Sequence, residues 1–132
     1  MLDPKLLKDS PDSVHEMLKK RNMEFPLDEL VALERRRREL ITEAQEYRSK
    51  KNKLSEAVAA KKKAKQDASA ELSQMKEVSA NMERVEQEKV AAEAKYLKLA
   101  ALLPNMLHES VPVGKDEKDN VVVRTTGTIR TI

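Results

Sequence analysis

The sequence has no cysteine, no tryptophan, one phenylalanine and two tyrosines in 132 residues. Without cysteine it can form neither a disulfide framework nor a thiolate zinc site. Aromatic side chains supply much of the buried area of globular domains, so their scarcity argues against a large compact core. The two glycines also leave no glycine-rich loop that could hold a phosphate.

Long apolar runs are missing as well. No segment approaches the roughly 18 apolar residues that a membrane-spanning helix needs, and the opening residues 1–5 contain no apolar signal-peptide core. We therefore expect an intracellular, cytoplasmic protein without membrane association.

Candidate catalytic and metal-binding groups are few. His15 and His108 lie far apart, with no metal-ligand spacing around either. The sequence places no base beside a nucleophile such as Ser110. We predict no catalytic residue and no metal site, and we do not expect the chain by itself to be an enzyme.

The sequence is rich in charge and in helix-forming residues. Charged residues make up 37% of the chain but the net charge is only +3, so any basic site must be local. Alanine, glutamate, lysine, leucine and arginine together exceed half of the residues. Such a composition with helical periodicity is typical of coiled coils and long helices.

The first 26 residues carry two helix-start signals. Asp3 precedes Pro4 and Ser10 precedes Pro11, and each pair places a capping side chain before a proline at the first helical position. We predict short helices over residues 1–26.

Residues 27–103 contain neither glycine nor proline and hold two heptad seams. The first seam consists of Leu30, Leu33, Arg37, Leu40, Ala44, Tyr47, Lys51, Leu54 and Val58. The second consists of Met75, Val78, Met82, Val85, Lys89, Ala92, Tyr96, Leu99 and Leu103. Alternating spacings of three and four are the coiled-coil pattern. We therefore predict an all-α fold, a long antiparallel coiled-coil hairpin with arm helices over 27–65 and 67–103.

The apolar pattern lapses between Ala59 and Ala70, where Asp67 and Ser69 could cap the second helix. A turn centred near residue 65 or near residue 68 fits the seams, and the two choices give registers one heptad apart. Three charged residues interrupt the seams: Arg37, Lys51 and Lys89. We interpret them as snorkelling residues that fix the register at some cost in stability, with direct ligand contact as the alternative.

Residues 104–132 differ in character. Pro104 is expected to end the second arm helix, because the residue before a proline is pushed out of the helical region. Val121–Arg124 and Thr128–Ile132 are rich in β-branched residues and could form strands. We predict a linker over 104–132 with a short extended or β segment, and we expect more protein to follow.

Positive charge is concentrated toward the hairpin tip. Residues 48–65 contain eight basic residues and one acid, whereas residues 67–103 contain seven acids and five bases. A lysine cluster repels itself unless an anion compensates it, and a nucleic-acid backbone would do so. The predicted phosphate contacts are Arg48, Lys50, Lys53, Lys61, Lys62, Lys63 and Lys65. The alternative is an ordinary solvated helix surface.

Base stacking is not expected at this tip. Tyr47 and Tyr96 occupy seam positions, whereas recognition of unpaired bases normally uses exposed aromatic side chains. We therefore expect recognition of the shape and backbone of a folded RNA, with little sequence readout.

Three stretches carry a family resemblance. They are the opening Met1–Leu7, Leu27–Leu30 at the start of the long helix, and Leu103–Glu117 with Asp119–Asn120. In this order they resemble the N-terminal region of seryl-tRNA synthetases, which are class II aminoacyl-tRNA synthetases.

The resemblance implies a function. Residues 1–103 would be a tRNA-binding helical-arm domain that holds the long variable arm of a serine-specific tRNA. A catalytic domain outside these residues would attach serine, and would bind ATP and Mg²⁺, with no cofactor in this chain. The parent enzyme would be a homodimer. The alternative is a structural or protein-interaction coiled coil that binds no RNA.

Overall fold

The computed structural model describes residues 2–128. Within them lie four α-helices, α1 (Pro4–Asp9), α2 (Pro11–Lys20), α3 (Leu27–Lys63) and α4 (Ser69–Ala100), followed by a 3₁₀ turn at Glu117–Asp119. The long helices α3 and α4 pack against each other as an antiparallel hairpin. With 37 residues at 1.5 Å each, α3 is about 55 Å long. The predicted all-α helical hairpin is confirmed.

The two short helices begin where the sequence signals predict. Pro4 and Pro11 occupy first-turn positions, and the Asp3 carboxylate accepts a hydrogen bond from the Lys5 amide at 2.9 Å. Ser10 acts differently from the prediction. Its side chain makes no capping bond, and its amide donates to the Leu6 carbonyl and closes α1.

A hydrophobic core joins the short helices to the base of the hairpin. Its buried members are Leu2, Leu7, Val14, Met17, Leu18, Leu27, Leu30, Tyr96, Ala100 and Leu103. Burial raises the pKa of the Tyr96 phenol, because the charged form would be poorly solvated there. The short helices are therefore held by apolar contact with the base of the hairpin rather than by their own length.

Both seams lie between the arms. Every seam residue is buried or partly buried, and Leu40, Ala44 and Val85 form a second core cluster part-way along the hairpin. The register follows from ion pairs. Arg37 pairs with Glu93, and the midpoint of these two positions along the sequence is residue 65. Lys61 pairs with Glu71 nearest the tip, and their midpoint is residue 66. The turn therefore has the register centred near residue 65 rather than near residue 68.

Two of the three charged seam residues, Arg37 and Lys89, behave as snorkelling side chains. The Arg37 guanidinium lies 5.0 Å from the centroid of the Tyr96 ring and 3.5 Å from a Glu93 oxygen. Lys89 pairs with Glu86 on its own helix, one turn away. These long side chains thus cover apolar surface while their charged ends reach carboxylates.

The helix ends differ slightly from the predicted ones. Helix α3 ends at Lys63 and α4 begins at Ser69, so five residues form the turn. Helix α4 ends at Ala100, earlier than Pro104 requires. Its last turn tightens, because Leu102 and Leu103 bond to carbonyls three residues back, and this places Leu103 in the base core.

No β-strand forms in residues 104–128. The three valines 121–123 are exposed, and this part of the chain offers them no partner strand. Most of the other predicted strand, Thr128–Ile132, lies outside the described residues. The linker is instead hydrogen-bonded to the two residues that follow α2. The Arg21 guanidinium donates to the Asn105 carbonyl, and the side-chain amide of Asn22 donates to the Gly114 carbonyl.

Candidate nucleic-acid interface

The hairpin tip is closed by a backbone motif at the end of α3. The Gln66 amide donates to the Lys61 carbonyl at 2.9 Å, and the Lys65 amide donates to the Lys62 carbonyl at 3.1 Å. This is the Schellman arrangement, which requires a left-handed residue after the helix. Lys65 occupies that position with φ of 54°. Glycine is the usual residue there, so the tip contains a lysine in a strained conformation.

The end of α2 offers a direct comparison. It closes with the same bonding pattern, and its left-handed residue is Asn22, with φ of 50°. Asparagine tolerates this conformation better than lysine does. The strain at the tip is therefore not a general property of helix ends in this chain.

The return helix is started by Asp67. Its carboxylate accepts hydrogen bonds from the hydroxyl and from the amide of Ser69. These bonds favour the charged form and lower the pKa of Asp67. The residue that directly precedes α4 is Ala68, which makes no side-chain capping bond, and Ser69 is the first helical residue, so Asp67 supports the helix start from one position further back.

The seven predicted contact residues do not share one face of α3. Lys50 and Lys53 lie on one side of α3, where they line an open cleft of about 430 Å³. Tyr47 of the same helix and Gln74 of α4 also line this cleft. Nine residues separate Lys53 from Lys62, which is two and a half turns, so their side chains leave the helix in opposite directions. A single flat RNA surface cannot touch all seven residues at once.

Two of the seven face carboxylates of α4. Arg48 lies 3.5 Å from a Glu86 oxygen, and Lys61 lies 2.5 Å from a Glu71 oxygen. The other five make no ion pair within residues 2–128: Lys50, Lys53, Lys62, Lys63 and Lys65. We call Lys62, Lys63 and Lys65 the tip lysines, and all three are exposed.

The basic run at the base of the arm has the opposite character. All four arginines 35–38 lie within 4 Å of a carboxylate oxygen. Arg38 bonds at 2.8 Å to Glu34, which is a buried carboxylate, and Arg36 bonds at 2.8 Å to Glu88 across the hairpin. The charge of this arginine run is thus compensated by carboxylates, whereas that of the tip lysines is not.

Sequence reasoning missed the last layer of the coiled coil. Lys61 follows Val58 by three residues, and Glu71 precedes Met75 by four, so both seams continue into this ion pair. Ala68, three residues further back, is also buried. The heptad spacing would have found all three, but their small or charged side chains interrupt the apolar pattern.

The structure places a base beside Ser110, which the sequence alone did not do. The Ser110 hydroxyl is 2.8 Å from Nδ1 of His108, and the Ser110 amide donates to the same nitrogen at 3.2 Å. Both side chains are exposed, and the Val111 amide closes the turn on the His108 carbonyl. The contact stabilises a turn. Within residues 2–128 the structure gives the histidine no hydrogen-bonding carboxylate to orient it.

Other site types were sought in the same residues. Residues 2–128 contain no group of three or more histidine, aspartate or glutamate side chains placed to hold a metal ion. None of the four helices is long and apolar enough to span a membrane.

Comparison with known proteins bears on this hairpin directly. The family model described as the seryl-tRNA synthetase N-terminal domain matches residues 1–107. The chain belongs to this family. The match includes α1 to α4 and the whole hairpin tip, so the basic tip belongs to the part of the chain that defines the seryl-tRNA synthetase N-terminal domain.

Individual relatives agree with the family assignment. A serine–tRNA ligase of Nitrosopumilus maritimus is 44% identical over 129 residues, and one of Syntrophobacter fumaroxidans is 40% identical over 127 residues. These alignments cover 98% and 96% of this chain but 31% and 30% of the relatives. The chain thus spans about three tenths of the length of the relatives it matches.

A solved structure has the same fold. The seryl-tRNA synthetase of Pyrococcus horikoshii, described as complexed with ATP, superposes with a TM-score of 0.81 at 32% sequence identity. The superposition covers 96% of this chain and 29% of that one. The ATP is a ligand of that protein.

Proposed function

We propose that the hairpin is the tRNA-binding arm of a serine–tRNA ligase and that its tip lysines bind RNA phosphates. The chain belongs to the family of the N-terminal domain of these enzymes. The RNA would be the long variable arm of a serine-specific tRNA. The arm performs no chemistry itself. It positions the tRNA so that the acceptor end reaches an active site elsewhere in the enzyme.

One observation carries this proposal: the contrast in charge compensation along the arm. The four arginines at the base are each paired with a carboxylate, whereas the tip lysines make no ion pair in the described structure. A lysine that neutralises an RNA phosphate releases counterions condensed on the RNA, and this release favours binding. The four arginines at the base would first have to leave their carboxylate partners.

The conformation of Lys65 supports the same reading. A non-glycine residue in the left-handed region costs about 1–2 kcal/mol, and glycine would remove most of that cost. Strained residues of this kind concentrate at functional sites. A lysine in this position gives the tip a third positive charge at its outermost point.

The expected recognition is of shape and backbone. Tyr96 is buried, and the ring of Tyr47 lies between the arms with the Lys50 ammonium 5.4 Å from its centroid. Neither ring is offered as a flat exposed surface on which a base could stack. Phosphate contacts fix register and orientation without reading sequence.

The rest of the enzyme's function is proposed on the family relationship. The relatives are serine–tRNA ligases about three times as long as this chain. We propose that serine attachment, with ATP and Mg²⁺, belongs to a region outside these residues, and that the parent enzyme is a homodimer. A cytoplasmic location stays a prediction.

The test replaces the three tip lysines together, as Lys62→Ala, Lys63→Ala and Lys65→Asn. Asparagine is chosen because it tolerates the left-handed conformation. Affinity for a tRNA with a long variable arm is measured over a range of salt concentrations. If all three lysines contact phosphates, the slope of log K against log salt falls by roughly 2 to 3 units, at 0.7 to 0.9 per contact.

A matched control removes the same charge from the base of the arm, as Arg35→Ala, Lys95→Ala and Lys98→Ala. All three side chains are exposed, and Arg38 is left in place because it neutralises the buried Glu34. The control should bind with nearly the original salt slope. Equal effects of the two variants, or no effect of the tip variant, would reject the tip as the RNA site, and absence of tRNA binding by the unmodified chain would favour the structural coiled-coil alternative.

A further inference from the structure

The last layer of the coiled coil is an ion pair rather than an apolar contact. The Lys61 ammonium lies 2.5 Å from Oε1 of Glu71, joining the final seam position of α3 to the first of α4. The exposed fractions of the two side chains are 37% and 19%. The hydrogen bond from Lys61 lowers the pKa of Glu71, so the carboxylate is charged at neutral pH.

Lys61 is engaged at the tip in two ways. Its side chain pairs with Glu71, and its carbonyl accepts the Gln66 amide that closes the turn. Lys62 and Lys63, which end α3, follow it directly, and Lys65 lies within the closed turn. The side chain and the backbone of Lys61 are thus both engaged in closing the turn that contains the tip lysines.

The surroundings of Glu71 favour keeping the Lys61 ammonium in this ion pair. Oε2 of Glu71 is enclosed and has no hydrogen-bond partner in the structure. If the Lys61 ammonium moved to an RNA phosphate, Oε1 would lose its partner as well, and neither oxygen of the mostly enclosed Glu71 carboxylate would have one. Leaving a buried charge without a partner is costly. A phosphate at Lys61 would also lie close to the Glu71 carboxylate and be repelled by it.

We infer that Lys61 and Glu71 are a positioning pair that closes the arm and orients the tip lysines, and that Lys61 makes no phosphate contact. The inference rests on the proposed function, because it assigns roles within the same RNA site. It reduces the charges at the extreme tip that contact RNA from four to three. It also gives an acidic residue, Glu71, a favourable role in binding a polyanion.

The salt dependence of binding separates positioning from contact. In Lys61→Met the side chain keeps its apolar length but loses the ion pair. A positioning role predicts an unchanged slope of log K against log salt, with affinity lowered by up to about fivefold, the most that a partly exposed ion pair typically supplies. A direct phosphate contact predicts that the slope falls by roughly 0.7 to 0.9.

Glu71→Ala gives the opposite prediction for the two roles. It makes the tip more positive and releases Lys61, so simple electrostatics predicts tighter binding and a steeper slope. Positioning predicts weaker binding at the original slope. The double exchange Lys61→Glu with Glu71→Lys restores an ion pair at the same layer, and it should recover most of the affinity that the single variants lose.

Helix content by circular dichroism accompanies each variant, and the double exchange shows whether a loss reflects the missing pair. Tighter binding by Glu71→Ala, a reduced slope in Lys61→Met, or unchanged affinity in both overturns the inference. The tip-lysine variant remains the separate test of RNA binding. If it has no effect the proposed function fails, whereas a reduced slope in Lys61→Met with an active tip rejects only the positioning role.

Discussion

Lys65→Gly should make the hairpin more stable while it weakens RNA binding. The left-handed conformation costs a lysine about 1–2 kcal/mol, and glycine adopts it freely. Glycine is also more flexible in the unfolded chain and so loses more conformational entropy on folding, which offsets about 0.5–1 kcal/mol of the stabilisation. The net stabilisation should therefore be about 0.5–1 kcal/mol. For a chain of this length it corresponds to a rise in melting temperature of about 2–5 °C.

The same substitution removes one positive charge from the tip. If Lys65 contacts a phosphate, the slope of log K against log salt falls by roughly 0.7 to 0.9. Lys65→Ala is the matched control, because it removes the same charge but keeps a side chain that strains the left-handed backbone. It should lower the slope equally and give no gain in stability.

Two measurements check this prediction: thermal melting followed by circular dichroism at the helix signal, and hydrogen exchange of the Gln66 amide, which donates to the Lys61 carbonyl. Slower exchange of that amide in Lys65→Gly would locate the gain at the turn. Equal stability of the glycine and alanine variants would refute the strain at Lys65. A salt slope that neither variant changes would refute its phosphate contact.

Three further predictions concern the fold. Leu40→Ala, at a position that is 1% exposed in the mid-arm core, should lower the free energy of unfolding by about 2–5 kcal/mol in chemical denaturation, whereas the exposed Leu72→Ala should change it little. The pKa values of Glu71 and Glu86 lie below their ordinary 4.5, and the pKa of Asp67 lies below its ordinary 3.8. The charged carboxylates therefore stabilise the fold at a pH above these ordinary values, and this stability is lost as the pH falls through the lowered pKa values of the folded state. Melting curves between pH 7 and roughly pH 2 should show this loss, and a melting temperature that stays constant throughout would contradict it. Small-angle scattering should give a radius of gyration well above the roughly 14 Å of a compact domain of this size, and a compact value at monomer mass would contradict the hairpin.

Most of the fold could be predicted because the seams are long and regular. The seam residues alternate by three and four over both arms, and a pattern of that length is hard to satisfy with anything but two helices. The sequence does not decide the register, because apolar residues stop near the tip. Ion pairs between the arms, such as Arg37 with Glu93 and Lys61 with Glu71, distinguish the two turns, and charged pairs give no signal in a hydrophobicity pattern.

The candidate site was predictable in composition but not in geometry. The excess of basic residues toward residue 65 is visible in the sequence, and all seven candidate residues lie within it. Which of them are already paired depends on the facing helix, and so does the open cleft beside Lys50 and Lys53. The strain at Lys65 depends on how α3 ends, and no rule places a lysine in a left-handed position.

The linker contacts at α2 have a mechanical consequence. The chain enters and leaves the arm at the same end, and Arg21 and Asn22 fasten the outgoing segment to the incoming one. The hairpin is therefore a cantilever, anchored at one end and free for the length of α3, about 55 Å. A tilt of about 5° at the anchor moves the free end by about 5 Å, which exceeds the roughly 4 Å over which an ion pair forms. Packing around Leu103 and Tyr96 at the base thus affects the position of the tip lysines, although it makes no contact with them.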